Sequence, residues 1–303
     1  QRLRLKSGLE LAYAHLVLAT GTRARTLDAL PAGLANVHVL RSASDARTLR
    51  DSLSRSATSG GAVTVIGGGF IGLELAASAR QMGLAVTVLE TAPRLLGRSV
   101  SPPLAAHVLA HHLAMGTQVR TGVRVDGFVV DNARLVSLQV DGVAMPVNEV
   151  VLGIGAVPET ALAADAGLPI DSGVVVDACM RTADPAILAI GDCASFALPD
   201  GTRRRLESVQ NANDQARTAA ATILGRDEPY GALPWFWSEQ GTMRLQMAGL
   251  VPAQATTVVR QGAREDSFTV FHVLDGRVLC AESVNAPMDH MMARKLMEGG
   301  VRV

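Results

Sequence analysis

Residues 63–90 read VTVIGGGFIGLELAASARQMGLAVTVLE, and no other stretch limits the fold so severely. The aliphatic run 63–66 predicts a buried strand, the Ala- and Leu-rich run 71–81 a helix, and the β-branched run 85–89 a second strand. This is the order of a βαβ unit. Between the first strand and the helix stands Gly67-x-Gly69-x-x-Gly72, and each glycine has a task. Gly67 permits a tight turn, Gly69 lets backbone approach a pyrophosphate, and Gly72 lets the helix pack closely on the strand. A pyrophosphate held there meets the helix N-terminus. Glu90 ends the second strand, eighteen positions past Gly72. Its carboxylate can accept hydrogen bonds from the adenine ribose hydroxyls and would repel a 2'-phosphate, so NAD is expected over NADP. Glu74, two positions past Gly72, is either an ordinary helix carboxylate or a group facing the nicotinamide end; the second reading is preferred. A Gly-rich turn with no ligand is the competing account of the whole stretch, and the combination of strand, glycines, helix and acid weighs against it.

The βαβ unit fills a small part of a 303-residue chain. That length, with 48% hydrophobic residues, suits two or three domains with real cores. Lys plus Arg and Asp plus Glu are both 28, giving a net charge of +0. There is no global basic field, so neither nucleic acid nor a membrane is expected as a partner. No apolar run reaches the roughly 18 residues of a spanning helix, and the opening QRLRLKSGLE lacks the apolar core of a signal peptide. A cytoplasmic protein is expected. Cys179, Cys193 and Cys280 stand far apart, with no Cys-x-x-Cys pair and no zinc-like spacing. They are expected to be reduced and structural.

Elsewhere the chain reads as follows. HLVLATGTRARTL contains a short strand at 16–19 that ends in Thr20-Gly21, with no helix or Gly-rich loop before it. VHVL at Val37 leads to a helix start at Ser42-Ala-Ser-Asp45, and Gly60-Gly61 is a connector. Pro102-Pro103 opens a helix running to Met115, and the runs 123–130 and 135–140 read as a hairpin closed by EVVLGIG at 149–155. Smaller strands follow, VVVD at Val174 and ILAIGDCASF at Ile187, and then a helix over 208–224. After PWFWSEQ at Pro234 come four strand-like runs and a final helix over 287–298, an α+β domain of its own.

Several residues outside the fingerprint are candidates for function. Gly191-Asp192 ends a buried strand, where an Asp can accept a hydrogen bond from a ligand hydroxyl or simply close a turn. The helix beginning near Ser208 would turn its positive end to whatever that loop binds, which suits a ring that becomes anionic on accepting a hydride. Trp235 and Trp237 flank Phe236 in a chain with 3% aromatics; core packing and a ligand-side role weigh evenly. His107 and His111 stand four apart on a predicted helix, but no third ligand is apparent and no metal is expected. There is no Gly-x-Ser-x-Gly, no His-Glu-x-x-His and no cysteine pair, so no protein nucleophile or redox disulfide is expected.

Together these segments resemble the FAD-dependent ferredoxin reductases, the reductase components of bacterial Rieske dioxygenase and cytochrome P450 systems. The matching stretches are LVLATGTR at Leu16, VLRSASDA at Val39, VIGGGFIGLELAA at Val65, VLE at Val88, PRLLGR at Pro93, GIGAVPET at Gly153, AIGDCASF at Ala189, ESVQNANDQAR at Glu207, PWFWSEQ at Pro234 and VNAPMDHMMARKL at Val284. ESVQNA and PWFWSEQ are the specific ones. The resemblance implies an α/β fold with two Rossmann-like, glutathione-reductase-type nucleotide-binding domains and a C-terminal α+β domain. The FAD-binding domain would be 1–33 with 159–232, the NAD-binding domain 34–158 and the reductase domain 233–303. The family's first GxGxxG does not occur here, so the FAD domain is expected to be incomplete and the chain to be a fragment of a longer protein. Glu159 stands where relatives often have Asn.

The resemblance also implies roles. Thr20, Gly21, Arg41, Gly191, Asp192, Val209 and Trp235 would bind FAD, with Asp192 on the ribityl chain and Val209 against the ring. Gly67, Gly69, Gly72, Glu74, Glu90, Arg98 and Gly155 would bind NAD. Trp235 and Trp237 would border the flavin where an iron-sulfur partner docks. NADH would give a hydride to the flavin, which would pass electrons singly to a [2Fe-2S] ferredoxin. A rubredoxin-like protein, a quinone or oxygen as acceptor is a second expectation. Arg203–Arg205 as a basic docking face would favour an acidic iron-sulfur protein, against the simpler reading of a solvated Arg run. A flavin-free NAD-binding module is the third possibility.

Overall fold

The βαβ unit forms where its sequence places it. In the computed structural model the strand Ala62–Ile66, the helix Phe70–Gln81 and the strand Ala85–Glu90 follow one another, and the two strands pair in parallel. The structure describes every residue except Arg98, Pro199, Asp200, Ala253 and Val303. It divides into two units, 1–23 with 157–236 and 24–156 with 237–303.

In the second unit the βαβ strands lie in a five-stranded parallel sheet, ordered Val37–His38, Glu149–Leu152, Ala62–Ile66, Ala85–Glu90, Gln118–Thr121. The helix Ala43–Thr58 starts from a capping box. Ser42 Oγ accepts from the Asp45 N–H while Asp45 Oδ2 accepts from the Ser42 N–H. The helix Pro102–Ala114 opens on its two prolines, where missing N–H groups cost nothing. The sequence expectation that 149–155 closes the preceding hairpin is corrected here. The strands Val125–Asp131 and Arg134–Val140 take Val143–Pro146 as their third member, and Glu149–Leu152 enters the parallel sheet. All four of its residues are buried, as befits a strand covered on both faces. Ile66, Leu89, Val150 and Leu152 join Leu135, Leu138 and Val140 in one core cluster.

The C-terminal sheet is ordered Trp235–Gln240, Met243–Gly249, Arg277–Val284, Phe268–Leu274, Thr256–Gln261, and the helix Pro287–Glu298 packs on it. The opening strand PWFWSEQ is an addition to the four runs that the sequence identifies.

The first unit pairs Leu16–Leu18 in parallel with Ile187–Ala189. A second small sheet holds Val174–Val175, Ala194–Ala197 and Arg203–Arg204, and the helix Val209–Ile223 follows. Leu18, Val174, Met180, Leu188, Ala194 and Ala219 share its core.

Candidate functional site

The glycines of the turn after Ala62–Ile66 and of the helix that follows it differ in use. Gly67 has φ +111°, a conformation L side chains rarely adopt, and a Cβ there would sit 2.3 Å from Gly153 O. A Cβ on Gly72 would sit 2.3 Å from Gly67 O. Both are packing glycines. Gly69 is open: the nearest atom to a Cβ would be Gly153 O at 4.0 Å, and Gly69 caps the helix without any side-chain hydrogen bond. The helix therefore starts with no side-chain cap on its first-turn N–H groups, where a pyrophosphate is expected. Gly153 locks the turn to the neighbouring strand, its N–H donating to Ile66 O at 2.8 Å. Gly155, at φ +97°, faces open space.

Glu90 stands at the end of its strand with its carboxylate fixed by main chain. Oε2 accepts from the Gly68 N–H at 2.7 Å, and Oε1 accepts from the Ala92 N–H at 2.7 Å and the Thr91 hydroxyl at 3.2 Å. A carboxylate has about four acceptor sites, so capacity remains for a ligand hydroxyl. Arg98 lies outside the described residues.

Glu74 is half-buried on the helix Phe70–Gln81 and is not an ordinary surface carboxylate. The Ser238 hydroxyl donates to its Oε1 at 2.6 Å. Ser238 is buried, and its Oγ accepts from Gln240 Nε2 at 3.1 Å. Gln240, buried too, is gripped by two successive histidines: His112 Nε2 bonds its Oε1 at 2.9 Å and His111 Nε2 bonds its main-chain carbonyl at 2.8 Å. Burial, then the neighbouring His111, holds the fully buried His112 below the usual imidazole range, against the opposing bond to Gln240.

In the first unit, Thr20 Oγ1 donates to Glu159 O at 2.5 Å, the Glu159 N–H donates to Gly21 O at 2.9 Å, and Arg23 pairs with the Glu159 carboxylate at 2.9 Å. The Glu at 159 thus ties the end of the Leu16–Leu18 strand in place. Gly191 begins the turn Gly191–Cys193 at φ +71°, and its N–H donates to Gln215 Oε1 at 2.7 Å. Asp192 is half-buried in that turn. Val209 is the first residue of its helix and is 63% exposed. Ser208 Oγ caps the helix by accepting from the Asn211 N–H at 3.1 Å, and Asn211 Oδ1 accepts from the Tyr230 hydroxyl at 2.8 Å. Burial first, and then the Asp214 carboxylate, push the Tyr230 phenol up to about 12. Gln210 Oε1 accepts from the Trp235 N–H at 3.1 Å, so the helix start also fixes Trp235.

Other expected residues divide by role. Arg41 is exposed, its N–H donating to Asp45 Oδ2 at 3.1 Å. Trp235 is half-buried and Trp237 exposed. Arg203 donates to Ser195 O and Arg205 to Ser172 O and Asp192 O, while Arg205 also pairs with Glu207. Two of the three arginines thus brace the fold, which weakens the reading of 203–205 as a docking face. His107 packs edge-on against Phe268 with ring centroids 4.9 Å apart. Among the described residues no group of three or more His, Cys, Asp or Glu is placed to hold a metal, and no helix is long and apolar enough to cross a membrane. All three cysteines are buried and free. Sequence reasoning missed Ser238, Gln240, His112 and Gln215. Only the run SEQ after the tryptophans, polar residues in a strand-like setting, hinted at the first two.

Residues 1–216 match the family of pyridine nucleotide-disulphide oxidoreductases, and 235–303 match the reductase C-terminal domain. Rhodocoxin reductase of Rhodococcus erythropolis is 44% identical over 98% of this chain and 69% of its own length. The ferredoxin–NAD(+) reductase component of the anthranilate 1,2-dioxygenase system of Burkholderia cepacia is 44% identical over 99% of this chain and 73% of its own. The covalent complex of putidaredoxin reductase with putidaredoxin matches at 38% identity and a TM-score of 0.90, covering 97% of this chain and 72% of that one.

Proposed function

The chain belongs to the ferredoxin reductases of the pyridine nucleotide-disulphide oxidoreductase family, and from that premise we propose that it moves electrons from NADH through FAD to a [2Fe-2S] ferredoxin of a Rieske dioxygenase or cytochrome P450 system. One NADH reduces two ferredoxins, releasing NAD and one proton. FAD, when bound, supplies the conversion of a two-electron hydride into two single electrons. The proposed transfer requires no side-chain acid or nucleophile; the residues assigned below bind and orient.

The observation that carries this reading is the uncapped helix N-terminus at Gly69 beside a Glu90 carboxylate held on the Gly68 N–H. A helix start without a side-chain cap suits a pyrophosphate, and the fixed carboxylate suits ribose hydroxyls while repelling a 2'-phosphate. The cradle fits NAD. Gly67, Gly69, Gly72, Glu90, Arg98 and Gly155 are assigned to it, with Glu74 at the nicotinamide end. For FAD the chain offers Thr20, Gly21, Arg41, Gly191, Asp192, Val209 and Trp235. The half-buried Asp192 carboxylate suits a ribityl hydroxyl, and the exposed Val209 side chain at a helix start suits an apolar ring face. We assign 1–33 and 159–232 to FAD, 34–158 to NAD and 233–303 to the reductase domain, and place the protein in the cytoplasm. The purified protein should carry the visible spectrum of a flavin, bleached by NADH and barely by NADPH. A colourless protein that NADH leaves unchanged would overturn the proposal.

A further inference from the structure

The hydrogen bonds from Glu74 inward form a chain whose direction is fixed at every link. Ser238 Oγ donates to Glu74 Oε1, because a carboxylate only accepts. That hydroxyl must then accept from Gln240 Nε2, which leaves Gln240 Oε1 to accept from His112 Nε2–H. His112 is consequently the Nε2–H tautomer. Its Nδ1, buried and without a partner, is a bare lone pair. The opposite orientation of the Gln240 amide would put a proton on Nδ1 with no acceptor, a costlier defect than an idle lone pair. Among the described residues no donor reaches Glu74 Oε2. One oxygen is thus held and the other is left for a ligand.

We infer that Ser238 and Gln240, oriented by His112, are positioning residues that fix the Glu74 carboxylate for the nicotinamide end of NAD(H). The inference rests on the proposed placement of Glu74. Ser238 adjoins Trp237 on the strand Trp235–Gln240, so the bond that aims Glu74 also ties it to the strand bearing both tryptophans. Neither Ser238 nor Gln240 is assigned to contact ligand. Their effect passes through Glu74 alone.

The test uses calorimetric titration of the FAD-loaded protein with NAD, NADH kinetics, and nitrogen-15 NMR of the histidine rings. Ser238→Ala should weaken NAD binding about three- to tenfold, the range of a hydrogen bond worth ~0.7–1.4 kcal/mol. It should raise KM for NADH more than it changes kcat, and Ser238→Thr should restore most of the loss. Gln240→Met, close in shape and without a donor, should act in the same direction. It should also change the His112 ring signals, which in the parent should report a protonated Nε2 and a bare Nδ1. If Glu74→Gln itself binds NAD like the parent, the placement of Glu74 falls and this inference with it. If Glu74→Gln weakens binding while Ser238→Ala and Gln240→Met, both folded, do not, the inference alone is overturned. A protonated Nδ1 on His112 in the parent would also overturn it.

Discussion

A single methyl group decides whether the Gly-rich turn can close. A Cβ on Gly72 would meet Gly67 O at 2.3 Å and Val65 Cγ1 at 3.2 Å, neither of which is the loose end of a long side chain. Gly72→Ala should therefore cost about 1–3 kcal/mol of stability, as overpacking does. The loss is read from thermal melts, and NAD affinity, read by titration, should fall with it. Glu90 sets a different selectivity. Glu90→Arg removes the repulsion toward a 2'-phosphate and offers a partner for it, so the ratio of kcat/KM for NADPH to that for NADH should rise by at least about tenfold. A ratio that stays at the parent value would show that cofactor choice resides elsewhere. These residues were legible in the sequence because what constrains them is local: a turn, a helix start, a strand end. Ser238 and Gln240 were not, because their partners Glu74 and His112 lie 164 and 128 positions away.

At the level of elements, the strand Trp235–Gln240 defeats pattern reading for a physical reason. Its exposed position 237 is Trp, whereas its buried positions 238 and 240 are Ser and Gln, the reverse of the usual alternation. Only the polar network beneath makes that burial acceptable. The helix Ala43–Thr58 is the opposite case, announced by its Ser42–Asp45 capping box; Ser42→Ala should cost about 1 kcal/mol in a denaturant titration. The helix Pro287–Glu298 carries a pH dependence. Burial first, and then Arg294 and Arg244, lower His290 from its ordinary value to about 4. Between pH 6.5 and 4 the unfolded chain binds the proton that the folded one refuses, so stability is lost as pH falls through that window. The loss amounts to about 3 kcal/mol at most. Burial sets His112 and His107 in the same direction. Thermal midpoints measured from pH 7 down to 4 should fall, and His290→Gln should flatten part of that slope. An unchanged slope in the variant would remove His290 from the account.

At the scale of the whole molecule, the segments ATG at 19–21 and GIG at 153–155 each follow a strand that pairs in parallel, one in each unit. The hairpin that the sequence closed with 149–155 shows the limit of such reading: a four-residue apolar run fits a hairpin edge and a sheet centre equally, until the neighbours on both faces are known. The net charge of +0 gives no overall field to steer an acidic partner, and Arg203 and Arg205 are spent on main-chain carbonyls. Partner choice must therefore come from a local surface, and it is settled by rates. The most direct test of the electron path is kcat/KM for NADH-driven reduction of a [2Fe-2S] ferredoxin, set against that for a small quinone, with the FAD-loaded protein at one ionic strength. The path from NADH through FAD to ferredoxin predicts that the ferredoxin is reduced faster; a quinone reduced as fast or faster would contradict it.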